Sequence, residues 1–223
     1  MKKKILALLL AIMLVFSTIP MSAIAEDGTT LDEISSWAAN GGTLTLSNDV
    51  QLTDVITIDS TKSYTLNLGT YTITAASGKD AVKITGSGSN YLTINADTEN
   101  PGGISASGTT VINVSAATGR AGIIINGGKF SGKKCIWNST NTGIFADSQH
   151  TQGTANPTIL IYGGEFSGTS YDIGCYRPKL VIYGGIFNGT VSTTGTSTYT
   201  TIISGGKFKQ VPKPASNHTF EQQ

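Results

Sequence analysis

The sequence predicts an all-β chain built as a stack of turns, a solenoid, closed at its N-terminal end by one short helix. Three observations carry this prediction. Gly-Gly-x-Phe recurs at Gly127-Gly128-Lys129-Phe130, Gly163-Gly164-Glu165-Phe166, Gly184-Gly185-Ile186-Phe187 and Gly205-Gly206-Lys207-Phe208. Apolar positions alternate before each copy, as Ile123 and Ile125, Ile159 and Ile161, Leu180 and Ile182, then Thr201 and Ile203, which is the period of a strand with one buried face. The copies also keep a fixed step, with 163 − 127 = 36, then 184 − 163 = 21 and 205 − 184 = 21. Such steps mark units too small to bury their own apolar face, which must stack on one another.

The elements follow in chain order. Lys2, Lys3 and Lys4, the apolar run Ile5 to Ile19, and the small-x-small Ala23-Ile24-Ala25 read as an export signal over residues 1–25, cleaved after Ala25. The run is shorter than the roughly 20 residues that span a bilayer, so no stable membrane insertion is expected after cleavage and the mature chain is expected outside the cell. In residues 26–41, Thr30 and Glu33 stand at capping-box spacing. Leu31, Ile34, Trp37 and Ala38 share one helical face, with Gly41 to stop the helix. Such a helix would cover the open first edge of the stack.

Residues 42–211 are the expected stack. Its early part, Gly41–Asp59, Tyr64–Thr74, Ala81–Gly86, Tyr91–Ala96 and Thr110–Ala116, consists of short alternating segments separated by Gly, Ser, Asn and Asp. In the later part, Ile161 and Phe166 are an odd number of residues apart, so if both face inward the chain must turn a corner at the glycine pair. Glycine permits this because it adopts positive φ without a Cβ clash. Stacking then places Phe130, Phe166, Phe187 and Phe208 in one column and Ile125, Ile161, Ile182 and Ile203 in another. The 36-residue interval fits two short coils, or one coil with Asp147–Pro157 looped out and His150 solvated within it. Pro212 and Pro214 cannot continue a ladder, and residues 212–223 are expected to be a flexible tail.

At this point the residues resemble a known family. The helix, the segment from Gly41 to Thr74 and the recurring Gly-Gly-x-Phe-x-Gly are similar to the single-stranded right-handed parallel β-helix of secreted, adhesin-like surface proteins of Gram-positive bacteria, within the pectin-lyase-like architecture. The resemblance implies extracellular display and attachment to polysaccharide or to surface proteins. Unlike anchored relatives, the sequence holds no Leu-Pro-x-Thr-Gly sorting signal.

The chemistry points the same way. Charged residues make up 13% of the chain and its formal net charge is +1, too little basic surface for nucleic acid. A glycan hydrolase needs two converging carboxylates. Asn141-Thr142-Gly143 lacks the aspartate of the Asn-Thr-Asp-Gly phrase found in pectin hydrolases, and the mature arginines are only Arg120 and Arg177. Asp172 with Arg177 reads as a surface salt bridge. No catalytic residue, metal or cofactor is therefore assigned. The function expected is a non-enzymatic surface or adhesion module binding glycans or a host or cell-surface protein; the alternative is a degenerate or partial polysaccharide lyase or glycoside hydrolase.

Tyr162 and Tyr183 are the ligand-binding candidates, because they alternate outward from Ile161 and Ile182; the plainer reading is that they pair with each other. An ice-binding array would need Thr-x-Thr on every coil. Thr43-Leu44-Thr45, Thr70-Tyr71-Thr72 and Thr198-Tyr199-Thr200 fit locally, but 21 residues before Thr200 stands Lys179. Cys135 and Cys175 lie 5 and 9 residues beyond Phe130 and Phe166, about 13 Å apart along the strand in register. No disulfide between them is expected, only two buried thiols. The triplets at Asn138, Asn188 and Asn217 match the glycosylation pattern, as a threonine-rich chain does by chance.

Overall fold

The computed structural model describes residues 28–86, 88–115, 121–138, 159–176, 180–194, 201–213 and 220–221. The export signal, the Asp147–Pro157 loop with His150, Arg120, Arg177, Lys179, Asn141–Gly143, Thr198–Thr200, the Asn217 triplet and the remainder of the Asn138 triplet lie outside the described residues.

One helix, α1 (Leu31–Asn40), opens the described chain. Thr30 caps it: its hydroxyl accepts from the Glu33 N–H at 3.2 Å, and the Glu33 carboxylate accepts from the Thr30 N–H at 2.8 Å. Ile34 and Trp37 are buried, while Leu31, expected on the same face, remains 38% exposed. Trp37 packs edge-on against Tyr64 at 5.3 Å and donates its indole N–H to the Gly42 carbonyl at 3.0 Å. The Tyr64 hydroxyl donates to the Ala38 carbonyl at 2.9 Å. These contacts hold the helix against the first strands.

The rest is β structure. The early strands are β1 (Gly42–Thr45), β2 (Val50–Gln51), β3 (Ile56–Asp59), β4 (Tyr64–Asn67), β5 (Thr72–Thr74), β6 (Val82–Thr85), β7 (Tyr91–Asn95), β8 (Gly103–Val114) and β9 (Gly122–Ile125). The later ones are β10 (Lys129–Asn138), β11 (Ile159–Ile161), β12 (Glu165–Tyr176), β13 (Leu180–Ile182), β14 (Ile186–Phe187), β15 (Val191–Thr194), β16 (Thr201–Ile203), β17 (Lys207–Phe208) and β18 (Phe220–Glu221). They form two parallel sheets. One is ordered β1-β4-β7-β9-β11-β13-β16-β18; the other is ordered β17-β14-β12-β10-β8-β5-β2, with β3 and β6 joining at β8 and β15 at β12.

Register converts the sequence repeat into columns. Leu44, Leu66, Ile94, Ile125, Ile161, Ile182 and Ile203 are successive partners in the first sheet. Val50, Ile73, Ile104, Phe130, Phe166, Phe187 and Phe208 are successive partners in the second. The four phenylalanine rings stack face to face at 5.0, 4.9 and 4.7 Å. Phe130, Phe166 and Phe187 are fully buried and Phe208 partly so; each full burial contributes about 1.5–3 kcal/mol relative to exposure. Ile125 pairs directly with Ile161 and Phe130 with Phe166, so the 36-residue interval holds one repeat.

Each glycine pair joins the two sheets, and its two members do different things. The second adopts positive φ: Gly128 at 115°, Gly164 at 105°, Gly185 at 112° and Gly206 at 110°. The first leaves room for the preceding repeat: a Cβ on Gly163 would stand 2.9 Å from the Asn126 carbonyl oxygen, and one on Gly184 2.6 Å from that of Tyr162. Gly127 is the exception, with nothing closer than 3.8 Å.

Four expectations need correction. Asp172 is not a surface residue: it is fully buried, and its carboxylate accepts from the Gly168 and Gly189 amides, both at 2.6 Å. Cys135 and Cys175 sit in register three residues apart rather than four, because one extra residue enters β12 between the partners of Gly132 and Lys134 and sets Cys175 opposite Asn138. Both cysteines are buried and neither forms a disulfide. The strands of the first sheet, read as having one buried face, do not all keep to it: their outward file begins Thr43, Thr65, Thr93 and continues Ile124, Leu160, Val181, Ile202. Val181 is only 5% exposed yet lies outside the main core, as in strands covered on both faces. Finally, pairing does not stop at Pro212: the Lys213 amide donates to the Val191 carbonyl at 2.8 Å, and β18 pairs with β16.

Candidate functional site

The glycine corners stack into a groove, because four successive repeats place no side chain at the same point. The groove has a volume of about 620 Å³ and a floor that includes Gly127, Gly163, Gly164, Gly184 and Gly185. One wall is the file immediately after the corners, Lys129, Glu165, Ile186 and Lys207, which are register partners. Ile186 is 42% exposed there, an uncovered apolar side chain. On the other side Asn126 lines the groove; Tyr162 and Tyr183, which continue its file immediately before the next two corners, lie beside the groove and do not line it. Asp97, Thr98 and Pro101 close one end.

The two tyrosines meet each other. Their ring centroids are 4.9 Å apart with 9° between planes, and each is about half exposed, at 50% and 49%. The facing surfaces are consumed by this stack, leaving the edges and the two outer faces open. A sugar ring cannot lie between them, so the plainer reading of the pair accounts for the geometry, and any ligand contact must use the outer faces or the hydroxyl-bearing edges. Before them in the file runs an amide ladder: Asn126 Nδ2 donates to Asn95 Oδ1 at 2.7 Å, Asn95 Nδ2 to Asn67 Oδ1 at 2.8 Å, and Asn67 Nδ2 to Thr45 Oγ1 at 2.9 Å. It fixes the side-chain order of the early repeats as the tyrosine stack fixes the later one.

The carboxylates of the groove are already engaged. Asp97 accepts from the amides of Asn100 at 2.8 Å and Glu99 at 2.9 Å, and these bonds hold it below the usual carboxylate range. Glu165 accepts from Asn188 Nδ2 at 3.1 Å. Burial raises the Asp172 carboxyl, against the lowering effect of its two amide donors, but that group is sealed in the core. Burial, then the neighbouring Asp172 charge, push the Cys135 thiol up to about 12, and its Sγ donates to the Phe130 carbonyl at 3.2 Å. A thiol so held is not a nucleophile at neutral pH. Among the described residues, no three His, Cys, Asp or Glu side chains gather as a metal site requires, and no helix is long and apolar enough to cross a membrane.

A second cluster escaped the sequence reading. Lys134 Nζ lies 3.5 Å above the Trp137 ring, and Trp137 meets Tyr171 at 5.3 Å with 39° between planes. Trp137 rests on Gly174, where a Cβ would come within 2.5 Å of its ring. The signal was present: Gly174 follows Trp137 by 37 residues and is its register partner, so the glycine is the seat of the indole one repeat earlier. Burial holds the Lys134 ammonium below its usual range.

Thr43, Thr65 and Thr93 form the one regular outward threonine file among the described strands, and Ile124 ends it. Comparison with family models, with curated proteins and with solved structures returns no match to this chain.

Proposed function

We propose that this chain is an exported, non-enzymatic binding module folded as a single-stranded right-handed parallel β-helix of the adhesin-like kind, displayed outside the cell to hold a polysaccharide or a surface protein. Its binding surface is the glycine-floored groove with the Tyr162 and Tyr183 pair beside it. The observation that carries this reading is the register of the Gly-Gly-x-Phe repeat: its recurring residues are consumed in building the corner and the core column, leaving an open trough along the stack. The engagement of Asp97 by backbone amides and of Glu165 by Asn188 supports retention without turnover, because hydrolysis needs two carboxyl groups converging on one bond and each of these is held by another partner.

The test is binding of the mature protein to a panel of extracellular polysaccharides and to intact cell surfaces, with product analysis in parallel. Retention without product, weakened at least several-fold in Gly127→Trp, is the expected result, since position 127 lines the groove and has room for a side chain. Release of shortened or unsaturated sugars, lost in Glu165→Gln, would replace this reading with the enzymatic one.

A further inference from the structure

The sequence contains three Asn-Gly pairs, Asn40-Gly41, Asn126-Gly127 and Asn188-Gly189. This dipeptide is the one in which the following amide nitrogen is least shielded from attack on the asparagine side chain, because glycine has no Cβ. The attack requires that the glycine N–H be free to lose its proton to solvent, and the three sites differ on that point. The Gly41 N–H donates to the Trp37 carbonyl at 2.8 Å, closing the C-terminal turn of α1. The Gly189 N–H donates to the buried Asp172 carboxylate at 2.6 Å, and Gly189 is itself buried. The Gly127 N–H has no acceptor among the described residues, and Gly127 lies at the groove beside an exposed Asn126.

The leaving groups differ in the same direction. Asn188 Nδ2 donates to both Glu165 Oε1 and Ser167 Oγ, at 3.1 and 3.0 Å. Asn126 Nδ2 makes one bond, to Asn95 Oδ1 at 2.7 Å, at the last rung of the amide ladder.

We infer that Asn126-Gly127 is a self-modification site, at which the folded protein converts Asn126 to aspartate or isoaspartate without an enzyme. Solvent base takes the Gly127 amide proton; the nitrogen forms a bond to Asn126 Cγ; the Cγ–Nδ2 bond breaks and ammonia leaves with the proton. The resulting five-membered imide takes up one water molecule and opens at either carbonyl. Opening one way restores the main chain with an aspartate; opening the other way runs the main chain through the side-chain carbon. Both products put a carboxylate where the ladder had a donor, facing the Asn95 Oδ1 acceptor, and add a negative charge to the groove beside Lys129. The site is independent of what the groove binds.

The experiment is to hold the full chain, folded, in mildly alkaline buffer, sample over time, digest, and quantify by mass spectrometry the three peptides for replacement of amide nitrogen by oxygen, with isoaspartyl methyltransferase labelling to separate the products. A parallel sample in concentrated denaturant sets the rates when no amide is held. In the folded protein Asn126 is expected to convert at least about tenfold faster than Asn40 or Asn188, the difference expected from freeing a held amide, and the gap is expected to collapse in denaturant. Gly127→Ala, whose Cβ has room, should slow conversion of Asn126 without altering the circular dichroism spectrum. Conversion of Asn188 or Asn40 as fast as Asn126 in the folded chain, or an Asn126 that survives folded over a period that exhausts the denatured sample, overturns the inference.

Discussion

Truncating Phe187 tests the packing of the whole later stack. Its ring is fully buried and lies between Phe166 at 4.9 Å and 2° and Phe208 at 4.7 Å and 5°. Phe187→Ala therefore removes both stacked contacts and opens a cavity that the parallel strands on either side cannot close, for a loss of about 3–5 kcal/mol. Phe208 has a single stacked neighbour and is only partly buried, so Phe208→Ala should cost about 1–2 kcal/mol, scaled down from the same range. Urea unfolding followed by far-ultraviolet circular dichroism reads both, as a shift of the midpoint at constant slope. Equal losses for the two variants, or a loss below about 1.5 kcal/mol for Phe187→Ala, would refute the column as the source of stability.

Three further outcomes follow from local chemistry. Thr201 is 2% exposed and its hydroxyl has no partner among the described residues, so Thr201→Val should stabilise by about 1 kcal/mol in the same urea assay; a destabilised variant would mean that the hydroxyl is satisfied. Gly164→Ala forces a side chain onto a φ of 105° and within 3.0 Å of the Gly128 oxygen, and should cost about 1–3 kcal/mol. Gly127→Ala, whose Cβ would meet nothing closer than 3.8 Å, should change stability by less than about 0.5 kcal/mol, and a reversal of that order would contradict the corner geometry. Because burial raises the Asp172 carboxyl in the folded chain, folding favours its protonated form. Its contribution is fully present below the unfolded value of about 4 and is lost as pH rises through the higher folded value. Comparing stability against pH for the wild type and Asp172→Asn should show that this decline is missing from the variant; parallel curves would show that Asp172 is not raised.

The later repeats were legible because equal spacing and a bulky residue coincide. Phe166, Phe187 and Phe208 announce their column by a constant step of 21 residues, and the glycine pairs before them announce a corner. The same column continues into Ile104, Ile73 and Val50, where nothing distinguishes the inward residues from other aliphatics. The steps there are irregular, 66 − 44 = 22, 94 − 66 = 28 and 125 − 94 = 31 along the first sheet. The place of Asp172 was illegible for a different reason: its burial rests on the backbone amides of Gly168 and Gly189, which no side-chain pattern reveals, whereas the nearby Arg177, which lies outside the described residues, suggested a surface pair. The candidate groove was half legible. Its glycine floor was in the repeat, but the wall of Lys129, Glu165, Ile186 and Lys207 follows no residue type, and the mutual stacking of Tyr162 and Tyr183 turned an apparent platform into a closed pair.

The equal length of the last two steps has an evolutionary consequence. Because the units ending at Phe187 and Phe208 present the same glycines, the same inward isoleucine and the same ring to their neighbours, an in-frame duplication of 21 codons inserts a layer that finds compatible surfaces above and below. On the proposed β-helix reading, each such event would lengthen the molecule by about 4.8 Å, so that its span would be adjustable by copy number rather than by the slow accumulation of point changes.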